Sequence, residues 1–236
     1  MSLIKTGGGV AAISGKTGGT VFARNKSGAY ARNWAKPVNP GTSRQTDVRS
    51  SFAAGSAVFS MIPGSAVASW NAYAAGLTRV NRQGDSYTPT GRQIFIEQYN
   101  NMLAVAAAPL FVPSSTSNVP AVESIGTIIA ESDAGEVGTM TLNSVGAAIP
   151  SGATGRVIVE AAPSHKASVT NVNTQFRQIF TAALDDGPFD LSPGFIAVFG
   201  NTLISGQTLS LRIRVIDETS GLGSTRMLAN QTIVPA

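Results

Sequence analysis

The chain has 236 residues, a formal net charge of +4 and only 13% charged residues against 43% hydrophobic ones, with 25 Gly, 12 Pro, no Cys and one His. That length allows one large domain or two small ones, with ample chain for a buried core. A chain without Cys has no disulfide framework, no Cys-ligated zinc and no thiol nucleophile, and a single His excludes a multi-His metal site or a mechanism needing two imidazoles.

The charge is unevenly divided. Residues 1–110 hold 11 Lys/Arg against 3 Asp/Glu, a balance of +8, and residues 111–236 hold 6 against 10, a balance of −4. Such asymmetry points to two regions with different partners or facings. The uncharged, Pro- and Ser-rich stretch Pro109–Pro120 fits a linker between them. The expected organisation is a glycine-rich arm over 1–19, a basic hairpin-plus-helices module over 20–110, a linker over 111–120 and a β-sandwich domain over 121–236. No signal peptide is expected, because residues 1–20 lack a continuous apolar core. No stretch approaches about 18 uninterrupted apolar residues, so no membrane span and no membrane partner are expected.

In the arm, Gly7, Gly8, Gly9, Gly15, Gly18 and Gly19 give little intrinsic order, so order there is expected to come from something else, such as another subunit. Next, Gly19–Trp34 reads as a β-hairpin. Asn25-Lys26-Ser27-Gly28 suits a type I turn followed by a bulge, a register that pairs Arg24 with Tyr30, Phe22 with Arg32 and Thr20 with Trp34. Period-two alternation then places Phe22, Arg24, Tyr30, Arg32 and Trp34 on one face, with Val21, Ala23 and Ala31 on the other. The aromatic and basic face is a candidate protein interface, since Trp, Tyr and Arg are enriched there. Stacking and phosphate contacts make nucleic acid an alternative partner, with Lys16, Lys26, Lys36, Arg44 and Arg49 as further contacts to nucleic acid or an acidic surface. Ordinary sheet packing with Arg stems over the rings is a third reading.

Lys36-Pro37-Val38-Asn39-Pro40 is expected to be extended. Three helices should follow. Thr42 with Gln45 forms a capping box for the first, which carries Val48, Phe52, Phe59 and Ile62 at helical spacing. Pro63-Gly64 ends it, and a second helix gathers Val67, Trp70, Ala74 and Leu77 on one face. A third starts at Thr88 or Thr90 with Phe95, Tyr99 and Met102 as its stripe. These aromatics read as core.

Beyond the linker the period changes to two. Seven strands are expected, at Ile125–Ala130, Val137–Leu142, Arg156–Ala161, Thr174–Ala182, Phe195–Phe199, Leu209–Ile216 and Met227–Val234. Seven short strands with turn residues between them suggest an immunoglobulin- or fibronectin-III-like sandwich, the latter preferred without a core disulfide. The fold class expected is therefore α+β: an extended arm, a β-hairpin and about three helices, followed by an all-β sandwich.

Chemistry is thinly signalled. Gly15-Lys16-Thr17 resembles the end of a phosphate loop, but Val10 stands where the pattern needs Gly. His165 lies in a predicted loop, and Ser164 and Ser168 beside it lack the context of a nucleophile elbow. Asp185, Asp186 and Asp190, and Glu131, Asp133 and Glu136, read as solvated turns whose spacing fits no calcium loop. No catalytic residue, metal ligand or cofactor is expected.

Several phrases carry a family resemblance. They are Ser14–Trp34 with Lys36-Pro37-Val38-Asn39-Pro40-Gly41-Thr42, then Trp70-Asn71-Ala72-Tyr73-Ala74, then Gly84-Asp85-Ser86-Tyr87-Thr88 and Gly91-Arg92-Gln93-Ile94-Phe95. Over roughly residues 14–105 the chain resembles an uncharacterised family of phage and prophage-encoded structural proteins. The resemblance implies a non-enzymatic virion protein made in the bacterial cytoplasm: capsid-associated (cement, decoration-like or minor capsid) or tail-associated. Its implied partners are other copies of itself in a homo-oligomer and virion proteins such as the major capsid protein. Nucleic-acid binding by the basic module, and host-surface or carbohydrate binding by the sandwich loops, stand as alternatives.

Overall fold

The computed structural model describes every residue except 1, 6, 8–11, 26–27, 36–37, 82, 115–118, 150–154, 170–171 and 185–186. It is mixed α+β, and its contacts divide it into two units: Met1–Asn100 with Phe111–Pro113, and Asn101–Leu110 with Ser114–Ala236.

The first unit begins with four short strands, β1 (Ser2–Leu3), β2 (Gly15–Thr17), β3 (Thr20–Asn25) and β4 (Gly28–Asn33). They form an antiparallel sheet in the order β1-β4-β3-β2. Both outer strands come from the glycine-rich arm, so the arm finds its pairing partners in its own chain. The hairpin register differs from the expected one. Asn25 pairs with Gly28, Arg24 with Ala29, Ala23 with Tyr30, Phe22 with Ala31 and Val21 with Arg32. Only two residues connect the strands, with no bulge, and this moves the partner of every β3 residue by one.

Three helices follow: α1 (Ser43–Met61), α2 (Gly64–Ala75) and α3 (Gly91–Ala104), with the strand pair β5 (Arg79–Val80) and β6 (Ser86–Tyr87) between the last two. Thr42 is the N-cap of α1, its hydroxyl accepting the Gln45 backbone N–H at 3.4 Å. The expected stripes make the core only in part, because Val48 and Phe52 at the start of the α1 stripe stay exposed. Ile62, Ala66, Trp70, Ala74, Ile94 and Phe95 are buried together, with Phe59 and Tyr99 packed against them. Trp70 meets Phe95 edge-on with centroids 5.3 Å apart, and its indole N–H donates to the Phe111 carbonyl at 2.9 Å. Gly91 allows the start of α3 to sit against α2, since a Cβ there would lie 2.7 Å from the Asn71 backbone nitrogen.

The second unit contains β7 (Ala121–Ile125), β8 (Ile128–Asp133), β9 (Glu136–Leu142), β10 (Val145–Ala148), β11 (Gly155–Ala161), β12 (Arg177–Ala183), β13 (Phe189–Asp190), α4 (Ser192–Phe199), β14 (Thr208–Asp217), β15 (Met227–Thr232) and β16 (Val234–Pro235). Two four-stranded sheets, β12-β11-β14-β15 and β13-β9-β8-β16, supply one common core, and β10 pairs with β7 separately. On β14 the expected alternation holds. Leu209, Leu211, Ile213 and Val215 are fully buried, while Arg212 and Arg214 on the opposite face are half-buried.

Phe195–Phe199, expected as a strand, belongs to α4. Pro193 stands in its first turn, Leu191, Phe195 and Phe199 recur at helical spacing, and Gly200 at φ 85° terminates it. A run of five apolar residues does not by itself separate a strand from a short helix.

Candidate interaction surface

The register change rearranges the predicted surface. Cross-strand partners share a face. Phe22 and Arg24 therefore lie with Ala29 and Ala31, while Tyr30 and Arg32 lie with Val21 and Ala23. The five residues expected on one face are thus split between two, because a slip of one residue inverts a whole strand. The face of Tyr30 and Arg32 gains Lys16 of β2, which pairs with Val21 of β3. Trp34, just beyond β4, donates its backbone N–H to the Gly19 carbonyl at 2.7 Å, and the Lys16 ammonium stands 4.2 Å from the centre of its ring. The surface that assembles is Lys16, Tyr30, Arg32 and Trp34, with Trp34 59% exposed.

Arg24 lines the cleft on the other side, with Ile4, Lys5 and Asp85. There the Lys5 ammonium is 2.8 Å from the Asp85 carboxylate. The hydrogen bond from Lys5 and, after it, one from Asn81 hold the Asp85 carboxyl below the usual carboxylate value. Nothing local signals this pair, whose members are eighty positions apart. Lys26 and Lys36 lie outside the described residues. Arg44 and Arg49 are exposed on the first turns of α1, where Arg49 donates to the Asn39 side-chain oxygen at 2.8 Å.

The burial pattern is more informative than any single contact. Among the described residues, none before Gly55 is buried. The four-stranded sheet leaves both faces at least partly open, and Val48 and Phe52 of α1 are 48% and 55% exposed. The stripe continues into the core at Phe59 and Ile62. Half of one amphipathic face is therefore covered within the chain and the other half is bare.

The second unit holds the sole imidazole. His165 Nδ1 is 3.0 Å from the Pro163 carbonyl, and Nε2 lies 3.4 Å from the Ser210 hydroxyl. A carbonyl at Nδ1 leaves Nε2 as an acceptor for a hydroxyl, superficially a Ser–His pair. Ser210 is only 3% exposed and donates its hydroxyl proton to the Asn230 side-chain oxygen at 2.7 Å, so it is a buried bridge between β14 and β15. Nearby, Arg212 stacks on Phe176 with 4.0 Å to the ring centre, and Glu160 pairs with Arg226 at 3.4 Å. Asp185 and Asp186 lie outside the described residues, and Asp190 accepts the Ser192 backbone N–H at 2.9 Å at the start of α4. Among the described residues, no three His, Asp or Glu side chains converge as a metal site, and no single helix is long and apolar enough to cross a membrane.

No family model matches the chain, and no curated protein matches it.

Proposed function

We propose that this chain is a non-enzymatic phage virion structural protein, capsid-associated or tail-associated, that assembles through its N-terminal arm and hairpin. The observation that carries this reading is the absence of any buried described residue before Gly55. A small sheet needs a covered hydrophobic face to be stable, and a helix stripe needs something to pack on. Here Trp34, Val38, Val48 and Phe52 stay exposed in the single chain, while the core lies in α2, α3 and the second unit. Burial supplied by neighbouring subunits or other virion proteins is the economical source of order for such a segment. The resemblance to phage-encoded proteins supplies the virion context and the bacterial cytoplasm as the place of synthesis.

The second unit is proposed as a sandwich of the immunoglobulin or fibronectin-III kind. Support comes from the common core of its two four-stranded sheets. The parallel pairing of β16 with β8 and the presence of α4 are elaborations on that plan.

The test is size-exclusion chromatography with light scattering on the full chain, alone and mixed with capsid or tail proteins. Discrete oligomers or co-elution are expected. A monomer that joins neither would overturn the assembly reading. A nucleic-acid role through the face of Lys16 and Arg32 would instead appear as binding to single- or double-stranded DNA that falls steeply with salt.

A further inference from the structure

Strands β1 and β2 lie at opposite edges of one four-stranded sheet, yet they are consecutive in the chain. Residues 4–14 therefore carry the arm from one edge to the other. The distance between the outer strands of such a sheet is about 14 Å. The connecting residues can span about 40 Å when extended. The arm has far more reach than its own sheet requires.

The seat of β1 is specific. Ser2 is opposite Ala31 and Leu3 opposite Tyr30, and the Ile4 backbone N–H donates to the Ala29 carbonyl at 2.9 Å. Beyond them Lys5 reaches Asp85 at 2.8 Å across the mouth of a cleft of about 460 Å³ whose lining includes Ile4, Ile13 and Arg24. Every one of these contacts is made by the first residues of the chain on a part of the molecule distant from them in sequence. A second copy carries the same residues and can make the same contacts at the same place.

We propose that the edge of β4 on which β1 sits, together with Asp85, is an acceptor site for the N-terminal arm of a second copy, so that β1 is exchanged between neighbouring subunits. The proposal rests on the assembly reading above and names its partner and its contacts. Exchange replaces each contact with an identical one, so the two forms differ mainly in the linkage. Within one chain the arm is present at an effective concentration in the millimolar range, which favours closure in dilute solution. Crowding of subunits in an assembling particle removes that advantage. Reciprocal exchange between two copies closes a two-fold dimer, and one-way donation from copy to copy builds a ring or an extending array. The charge pair selects the donor: a cation on the arm meets an anion at the acceptor.

The absence of Cys from the chain makes the test direct. Partner positions on antiparallel strands lie within the Cα separation a disulfide spans. Ser2→Cys and Ala31→Cys are made separately and together, and oxidised at the concentration where light scattering shows oligomers, or at the solubility limit if it shows none. Mixing the two single variants is expected to give a disulfide-linked heterodimer, identified by peptide mass, at ten-fold or more the yield at one-hundredth of that concentration. Adding Asp85→Lys to the Ala31→Cys copy should cut the yield several-fold, and Lys5→Glu on the Ser2→Cys copy should restore it. If the double variant forms only internal disulfides and the mixed variants give none while oligomers are present, arm exchange is wrong and the assembly reading stands. If oligomers are also missing in the presence of virion partners, both fail. A double variant that forms no disulfide at all overturns the β1–β4 seat and the proposal with it.

Discussion

Phe22 and Ala31 are direct cross-strand partners in the β3–β4 hairpin, and Phe22 shares its face with Arg24. Tyr30, Arg32 and Trp34 consequently belong with Lys16 on the opposite side, where the Lys16 ammonium covers the Trp34 ring. The sheet thus offers two different surfaces to a partner: an open aromatic and basic one, and one that closes over the cleft beneath the arm.

Trp34→Ala should weaken assembly without unfolding the protein. Trp34 is 59% exposed, so its removal is expected to change stability by no more than about 0.5 kcal/mol. Loss of a central aromatic anchor typically costs an interface about 2 kcal/mol or more. Light scattering beside a urea denaturation curve checks both halves. An equal loss in each would place Trp34 in the fold instead of the interface.

Trp70→Ala is the contrasting case. This indole is fully buried, packs edge-on against Phe95 and donates to the Phe111 carbonyl. Truncation opens a cavity and orphans that carbonyl, a cost of about 3–5 kcal/mol. A large fall in the urea midpoint of the first unit is the expected result.

Gly91→Ala should destabilise although it adds a helix-favouring residue. An added Cβ would meet the Asn71 backbone nitrogen and the Trp70 carbonyl carbon, each at 2.7 Å. Backbone cannot give way as a side-chain tip can, so about 1–3 kcal/mol of strain outweighs about 0.5–1 kcal/mol of propensity. Thermal melts of the variant test the sign.

Acid should loosen the arm. Lys5, followed by Asn81, holds the Asp85 carboxyl below its usual value by hydrogen bonding. A depressed carboxylate stabilises the folded form above its unfolded value, near pH 3.9, and the contribution disappears as pH falls through the folded value. The pair is exposed, so the effect is modest and screened by salt. Hydrogen exchange at the Ile4 amide, corrected for intrinsic rate, should quicken a few-fold below that range. Asp85→Asn should show the quickened rate at neutral pH with little further dependence on acid.

Asp217→Ala should cost about 1–3 kcal/mol. The carboxylate is 1% exposed and accepts from the Thr219 backbone N–H at 2.8 Å and the Ser220 hydroxyl at 2.6 Å, holding the turn after β14. Removing it leaves those donors unsatisfied. Denaturation of the second unit measures the loss.

Local chemistry made several elements legible in advance. Thr42 caps α1, the Phe95–Tyr99–Met102 stripe lies on α3, and Leu209 to Val215 alternate on β14, because caps and apolar periods are set by neighbours within one or two turns of chain. The division of charge at residue 110 and the scarcity of catalytic side chains were equally plain. Tertiary structure decided the rest. The hairpin register turned on whether two or more residues made the turn, and a one-residue change reversed which side chains share a face. The five residues from Phe195 to Phe199 became helical in the context of Pro193 and Gly200. The arm's place on β4 and the Lys5–Asp85 pair join residues far apart in sequence, and no periodicity encodes a contact of that kind. Burial itself is a property of the folded surface. The residues of the bare half of the α1 stripe are as apolar as those of its covered half, and only the packing of α2 and α3 distinguishes Phe59 from Phe52.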